Sequence, residues 1–323
     1  AFGPERSAEA PLDERHFDIA YAVQAVTEDI VLHLARLARK QTGMRHLVMA
    51  GGVALNCVAN TRIHQEAGFD GCYFQPCAGD AGTSMGAALY VAHNQGAKRV
   101  AHPMTDYLGP SFDNDAIAQA LNKGNVISHR LTHTEETAAR ALADGRIIGW
   151  FQGSAEFGPR ALGNRSILAD PRPADMKDVL NARVKFREPF RPFAPSILAE
   201  RAEEFFDGQG APSPFMILVY PTREEFKDTL GAVTHVDGGA RVQTVSADQN
   251  PRYHRLIQAF GEQTGMPCVL NTSFNIRGEP IVHSPEDALK CFFTTDMDFL
   301  FLGDYVVWKD PELARRLGIN HEA

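Results

Sequence analysis

The stretch HLVMAGGVALNCVANTRIHQEAGFDGCYFQPCAGDAGTSMGAALYVAHNQG, residues 46–96, decides the fold class. HLVMAGG (46–52) is an apolar run closed by two glycines and reads as a buried strand. A helix follows over about 54–66, which Gly68 can terminate, and GCYFQP (71–76) is a second strand. AGDAGTSMGAALYVAHNQG (78–96) is then a Gly-rich turn feeding a helix that stops near Gly96. This order is that of an α/β layer, whose ligand-binding turns lie at the carboxyl ends of strands.

Two of those turns are candidate sites. In GGVALN (51–56), Gly51 and Gly52 let backbone approach a ligand closely, with Asn56 and the helix N–H groups facing a nucleotide phosphate or ribose. The same glycines serve ordinary strand-to-helix packing equally well. In Gly79-Asp80-Ala81-Gly82-Thr83 a single carboxylate stands at a helix start among small residues. Asp80 is either a helix cap or an oxygen ligand for a metal that also touches a nucleotide phosphate.

Upstream, Ile19, Val23, Val26, Ile30, Val31, Leu34 and Leu37 recur at helical spacing, predicting an amphipathic helix over 17–40 behind an extended lead-in, 1–14. The sequence starts at Ala1 without an initiator Met and reads as a piece of something longer. Downstream, periodicity lapses over 97–112, giving a first domain over 1–100, a linker at 101–112 and a second domain over 113–323. The second should open with a helix (113–122), a strand (125–131), a helix (134–144) and the strand IIGWF (147–151). Further on come a strand FMILVY (215–220), a polar loop (234–245) and a helix capped by Asn250 and Pro251. The strand CVLNTSFN, a helix start at Ser284-Pro285-Glu286-Asp287 and the strands FLFL and YVVW complete it. His129 and His133 would share a metal on a helix, but VISHRLTH reads as a strand, along which four residues span about 13 Å, so both are structural.

With 323 residues, 44% of them hydrophobic, the chain can bury two ordinary cores. A net charge of −8 gives no general field for nucleic acid or membrane, so anions must be held by local patches. Five scattered cysteines without a CxxC suit reduced thiols in a cytoplasmic protein. No apolar run approaches the ~18 residues of a membrane span, and the first residues lack a signal-peptide core.

The local patch is residues 150–196, WFQGSAEFGPRALGNRSILADPRPADMKDVLNARVKFREPFRPFAPS, with eight basic and five acidic residues. Its arginines sit beside Gly, Pro and Phe, as where guanidinium groups are held for planar anions. Arg160 in GPRALGNRS, Lys185, Arg191 in FRPFAP, and Arg241 at the end of HVDGGAR supply cations; Ser166, Asn271, Ser273 and Asn275 add hydroxyl and amide donors. That set suits a ligand with several phosphates, or with a phosphate and a carboxylate, positioned for phosphoryl or nucleotidyl transfer. His235 is the main general-base candidate and reads first as a hydrogen-bonding loop residue. Arg172, Lys177 and Arg183, beside a helix with the apolar face Met176, Val179, Leu180 and Val184, read as solvated charge that tolerates substitution. The role of Arg165 is left open.

AGGVALNCVAN, QPCAGDAGTSMGAAL, FGPRALGNRSILADPR, FREPFRPFAPSI, THVDGGARVQTV and LNTSFNIRGEPIV, in that order, closely resemble the O-carbamoyltransferases that decorate nodulation factors and antibiotics. The resemblance covers nearly all of the chain. It implies the C-terminal part of an actin-like (ASKHA) domain over 1–100, followed by a YrdC-like α/β domain. It also implies a two-step reaction. Carbamoyl phosphate and ATP give carbamoyl adenylate with loss of pyrophosphate, and the carbamoyl group then passes to a small-molecule hydroxyl acceptor. Position by position, Arg160, Lys185, Arg191, Arg241 and Ser273 match the adenylate and carbamoyl phosphate pocket. Asp80 matches the carboxylate ligand of an iron or similar divalent ion, with Mg accompanying ATP, and GGVALN matches the nucleotide-contacting turn. The family draws its metal-binding histidines from a region upstream of this sequence. The chain is therefore expected to activate carbamoyl groups without transferring them. No nucleic acid or membrane partner is expected, and a homodimer is left open. The alternatives are a tRNA threonylcarbamoyl-type activity, which the acidic charge disfavours, and a nucleotide-binding actin-like module without turnover.

Overall fold

The computed structural model describes residues 2–7, 10–99, 105–188 and 190–319, and the chain divides into two compact units after Asp80. In the first, α1 (Glu14–Thr42) starts at a capping box between Asp13 and His16 and ends on Gly43 in the left-handed region. β1 (His46–Met49) pairs in parallel with β2 (Gly71–Phe74) across α2 (Cys57–Glu66), which packs on α1. The α/β expectation for this region is met. The apolar stripe of α1 is not buried: Leu32 and Ala35 are, whereas Val23, Val26, Ile30 and Leu34 are each more than half exposed. A two-stranded sheet has too little face to cover a 29-residue helix.

After the division come α3 (Thr83–Asn94), with no buried residue, and α4 (Asn114–Lys123). Then follow β3 (Ser128–Arg130), α5 (Thr134–Ala143), β4 (Ile148–Phe151) and β5 (Arg165–Ala169). The short α6 (Met176–Leu180) runs into a π-turn over 181–185 that ends at Phe186, φ 47°. β6 (Ala194–Leu198), α7 (Ala202–Phe205) and the short β7 (Tyr220–Pro221), β8 (Gly239–Ala240) and β9 (Gln243–Val245) precede α8 (Pro251–Thr264). β10 (Cys268–Ser273), α9 (Pro285–Phe293), β11 (Phe299–Leu302), β12 (Tyr305–Trp308) and α10 (Pro311–Arg316) complete the chain. One eight-stranded mixed sheet orders these strands β3-β12-β11-β4-β5-β10-β6-β9. α5 and α8 bury Leu142, Tyr253, Leu256 and Phe260 against Trp150, Leu168, Val269, Phe299 and Phe301, while α9 packs on β4 and β11. Asn250 and Ser284 cap α8 and α9 with Pro at the first helical position, as read from the sequence.

Three expectations are corrected. FMILVY is not a strand. Met216 takes φ 53°, which breaks the pleat, and pairing begins only at Tyr220, although Phe215–Leu218 are all buried; a buried apolar run looks the same whether or not it is pleated. The linker expectation does not hold over 105–112, residues 101–104 lying outside the described residues. Asp106 is buried, Tyr107 Oη donates to Leu162 O at 2.8 Å, and Gly109 N donates to Ala155 O, so the segment is sewn into the second unit. Arg172 and Arg183 are not free solvated charge. Arg172 chelates the buried Asp170 through Nε and Nη2 at 2.6–3.0 Å, and Arg183 Nη2 donates to Asp296 O and to Asp298 Oδ1 at 3.3 Å.

Candidate anion-binding site

The second unit holds a cleft of about 320 Å³ lined by Arg160 and Ala161 from the loop before β5, Arg187 and Arg191 from the loop before β6, Arg241, Met216, and Asn271, Thr272 and Ser273 of β10. Of the residues picked out in the sequence, Arg160, Arg191, Arg241, Asn271 and Ser273 therefore share one wall. Four guanidinium groups around one cleft form an anion site by charge alone.

Lys185 is nine-tenths buried beside that wall. Its Nζ donates to Ser273 O at 2.5 Å, to Ser273 Oγ at 3.2 Å, and to the backbone and side-chain oxygens of Asn275 at 3.0 and 2.9 Å. Burial, reinforced by the Arg187 charge, pulls the amine down to about 7, against the preference of four oxygens for the ammonium form. Lys185 and Asn275 thus hold the Ser273 turn rather than line the cleft. Ser166, opposite Ser273 in the β5–β10 register, is fully buried and accepts from Gly163 N at 3.0 Å. It supports the Arg160 loop and offers no donor to the cleft.

That loop is held from beneath. Glu156, half-buried with its Oε2 shielded from solvent, accepts N–H bonds through its other carboxylate oxygen from Leu162 (2.6 Å), Asn164 (2.8 Å) and Arg165 (3.3 Å). Gly163 sits at φ 103°, where a Cβ would lie 2.1 Å from the buried Tyr253 ring. Arg165 is fully buried, with its forks on four carbonyls and its guanidinium 3.6 Å from the Phe151 ring centroid, which settles its role as structural.

Burial, helped by the Glu156 charge, raises the Asp106 carboxyl to about 8, and burial raises Glu156 too. With a folded value above the ordinary 3.8, Asp106 contributes stability that is complete below about pH 4 and is lost as pH climbs through about 8. Lys185, lowered to about 7, acts with the opposite sign between about 7 and its ordinary 10.5. Urea denaturation from pH 5 to 8 is therefore expected to show Asp106→Asn gaining stability relative to the unsubstituted protein as pH rises. The slope should approach one proton, about 1.4 kcal/mol per pH unit. A flat difference would remove the buried acid from the account.

Arg187 and Met216 are cleft residues that the sequence reading passed over. Arg187 lies over the Phe193 ring at 4.4 Å and donates to Asn181 Oδ1 at 3.0 Å; burial, with Arg191 close by, lowers it to about 10. Its place two residues after Lys185 was the available signal. Nothing in FMILVY announces a left-handed Met216. His235 belongs to the turn before β8, its N–H on Gly239 O, with burial lowering its imidazole; it does not line the cleft.

The other candidates lie elsewhere. In the first unit Gly51 takes φ 101° and donates to Ala78 O, and Gly52 opens a 3-10 turn. Asn56 is the N-cap of α2, accepting from Ala59 N at 3.1 Å and exchanging amide hydrogen bonds with Gln24 of α1. Gly79 lies near Leu55, Asp80 is exposed on a 3-10 turn, and Gly82, across the division, is the N-cap of α3 without a side-chain cap bond. Among the described residues no group of three or more His, Cys, Asp or Glu could hold a metal. Asp80 is one hard oxygen ligand, short of the set an iron or magnesium ion needs, so no step is derived through a metal. None of the five cysteines is in a disulfide, and no described helix is long and apolar enough to cross a membrane.

Fold and cleft together define a mixed α/β protein with a guanidinium-lined anion site. Residues 139–309 match the family described as Carbamoyltransferase C-terminus and residues 2–89 that described as Carbamoyltransferase N-terminus, and the chain belongs to this carbamoyltransferase family. It is 47% identical over 307 residues to Nodulation protein NolO of Bradyrhizobium diazoefficiens, covering 93% of this chain and 56% of that protein. It is 35% identical over 287 residues to the 3'-hydroxymethylcephem-O-carbamoyltransferase of Amycolatopsis lactamdurans, covering 88% and 53%. An uncharacterized protein of Synechocystis sp. is 44% identical, covering 97% and 55%. The chain spans about half the length of these curated relatives.

Proposed function

We propose that the second unit makes carbamoyl adenylate from carbamoyl phosphate and ATP, and that the protein of which this chain is part passes the carbamoyl group to a hydroxyl of a small-molecule acceptor. The observation that carries this reading is the cleft that joins Arg160, Arg187, Arg191 and Arg241. Water releases carbamate and phosphate from carbamoyl phosphate; the carbamate oxygen then attacks the α-phosphorus of ATP and expels pyrophosphate. Both steps shift negative charge between phosphate oxygens, and fixed guanidinium groups stabilise that charge without reorganising. Lys185 holds the Ser273 hydroxyl at the wall, and Glu156 holds the loop that presents Arg160. The acceptor class rests on the relative that is named as an O-carbamoyltransferase.

In this reading residues 1–100 are the closing part of an actin-like domain and residues 113–323 a YrdC-like domain. The exposed apolar stripe of α1 and the two-stranded sheet are what part of a larger layer would leave uncovered. The test is carbamoyl phosphate-dependent exchange of labelled pyrophosphate into ATP. Exchange is expected, and a folded sample that binds phosphate yet gives none would sink the adenylate step.

A further inference from the structure

Asn271 stands in the cleft wall at 1% exposure. Its Nδ2 faces Ala161 O at 3.2 Å, Ser196 Oγ at 3.0 Å and Gln243 Oε1 at 3.0 Å. Ser196 Oγ itself donates to Gln243 Oε1, and Gln243 Nε2 donates to Leu162 O. These partners fix the amide's direction, because turning it over would set its oxygen against two other oxygens that cannot donate. The donor end of Asn271 is therefore used up within the protein. Its Oδ1 is left buried without a hydrogen-bond partner. A buried carbonyl oxygen is almost always paired, so an unpaired one in a ligand cleft points to a donor arriving with the ligand.

The rest of the wall sharpens this. Arg160, Arg187, Arg191 and Arg241 can only donate, and they call for an anion. The Ala161 and Ser273 carbonyls are already accepting, from Asn271 and Lys185. The cleft thus presents many donors for phosphate oxygens and, in Asn271 Oδ1, a buried acceptor that no donor of the protein serves. Resting on the carbamoyl adenylate reading above, we infer that Asn271 Oδ1 accepts a hydrogen bond from the NH2 of the carbamoyl group, and so selects carbamoyl phosphate over acyl phosphates of the same shape. An amide whose residue type suggests a phosphate donor is thus a specificity-determining acceptor.

Acetyl phosphate is the probe, since a methyl group replaces the NH2 and leaves the phosphate unchanged. Carbamoyl phosphate and acetyl phosphate are competed against labelled inorganic phosphate, alongside the exchange assay. The unsubstituted protein is expected to prefer carbamoyl phosphate by at least about tenfold, since a site that hydrogen-bonds an N–H rejects the analogue lacking it. Asn271→Ala should bring the two within about threefold, each affinity being taken relative to inorganic phosphate on the same variant. Equal binding by the unsubstituted protein overturns the inference, as does a folded Asn271→Ala that keeps the preference. Should Asn271→Ala fail to fold, the unsubstituted protein's preference decides alone. Absence of exchange despite a clear preference would fault the adenylate step and leave the Asn271 assignment standing.

Discussion

Arg165→Met is expected to lower the stability of the second unit by about 4 kcal/mol and its melting temperature by roughly 10 °C. Arg165 is fully buried, and its guanidinium bridges Gln152 O (2.7 Å), Asn164 O (2.9 Å), Pro110 O (3.1 Å) and Gly153 O (3.2 Å). Methionine fills a similar stem volume but leaves four carbonyls without donors, each worth about 1–3 kcal/mol before relaxation. It also gives up the contact with the Phe151 face. Lysine restores the charge but not the planar fork and should recover less than half of the loss. Native stabilities of about 5–15 kcal/mol make a change of this size visible in urea denaturation or calorimetry. A loss under about 1 kcal/mol would mean the carbonyls find other donors.

Arg160→Ala is expected to reduce carbamoyl phosphate-dependent ATP–pyrophosphate exchange by about a hundredfold in kcat/KM, with the melting temperature little changed. The basis is geometric: Arg160 lines the cleft from a loop held by Glu156, Gly163 and Tyr107. One charge-assisted donor aimed at developing phosphate charge carries an effect of that size. Full exchange in the folded Arg160→Ala protein would place the chemistry outside this cleft.

Arg160, Arg191, Arg241, Asn271 and Ser273 are picked out by residue type and by their Gly, Pro and Phe neighbours, and the fold brings them to one wall although they span 114 positions from first to last. Lys185 and Asn275 were picked out too, yet they support Ser273 rather than face the cleft. Ser166 shows the limit: a serine next to a cationic loop looks like a ligand donor, and only its complete burial and its bond from Gly163 N show that it is closed off from the cleft. The cap residues Asn250 and Ser284 are readable because capping is local, made within three residues of the helix start.

The sequence by itself determined the class of local structure and the chemistry of the anion site, because helix period, caps and charge are properties of short segments. The tertiary structure alone decided which cations line the cleft, that Arg165 is structural, that 105–112 belongs to the second unit, and that the Asn271 amide has its donors occupied and its acceptor unserved. Each of those depends on pairing between residues tens of positions apart in the chain. A side chain's own type does not state which partners will have satisfied it.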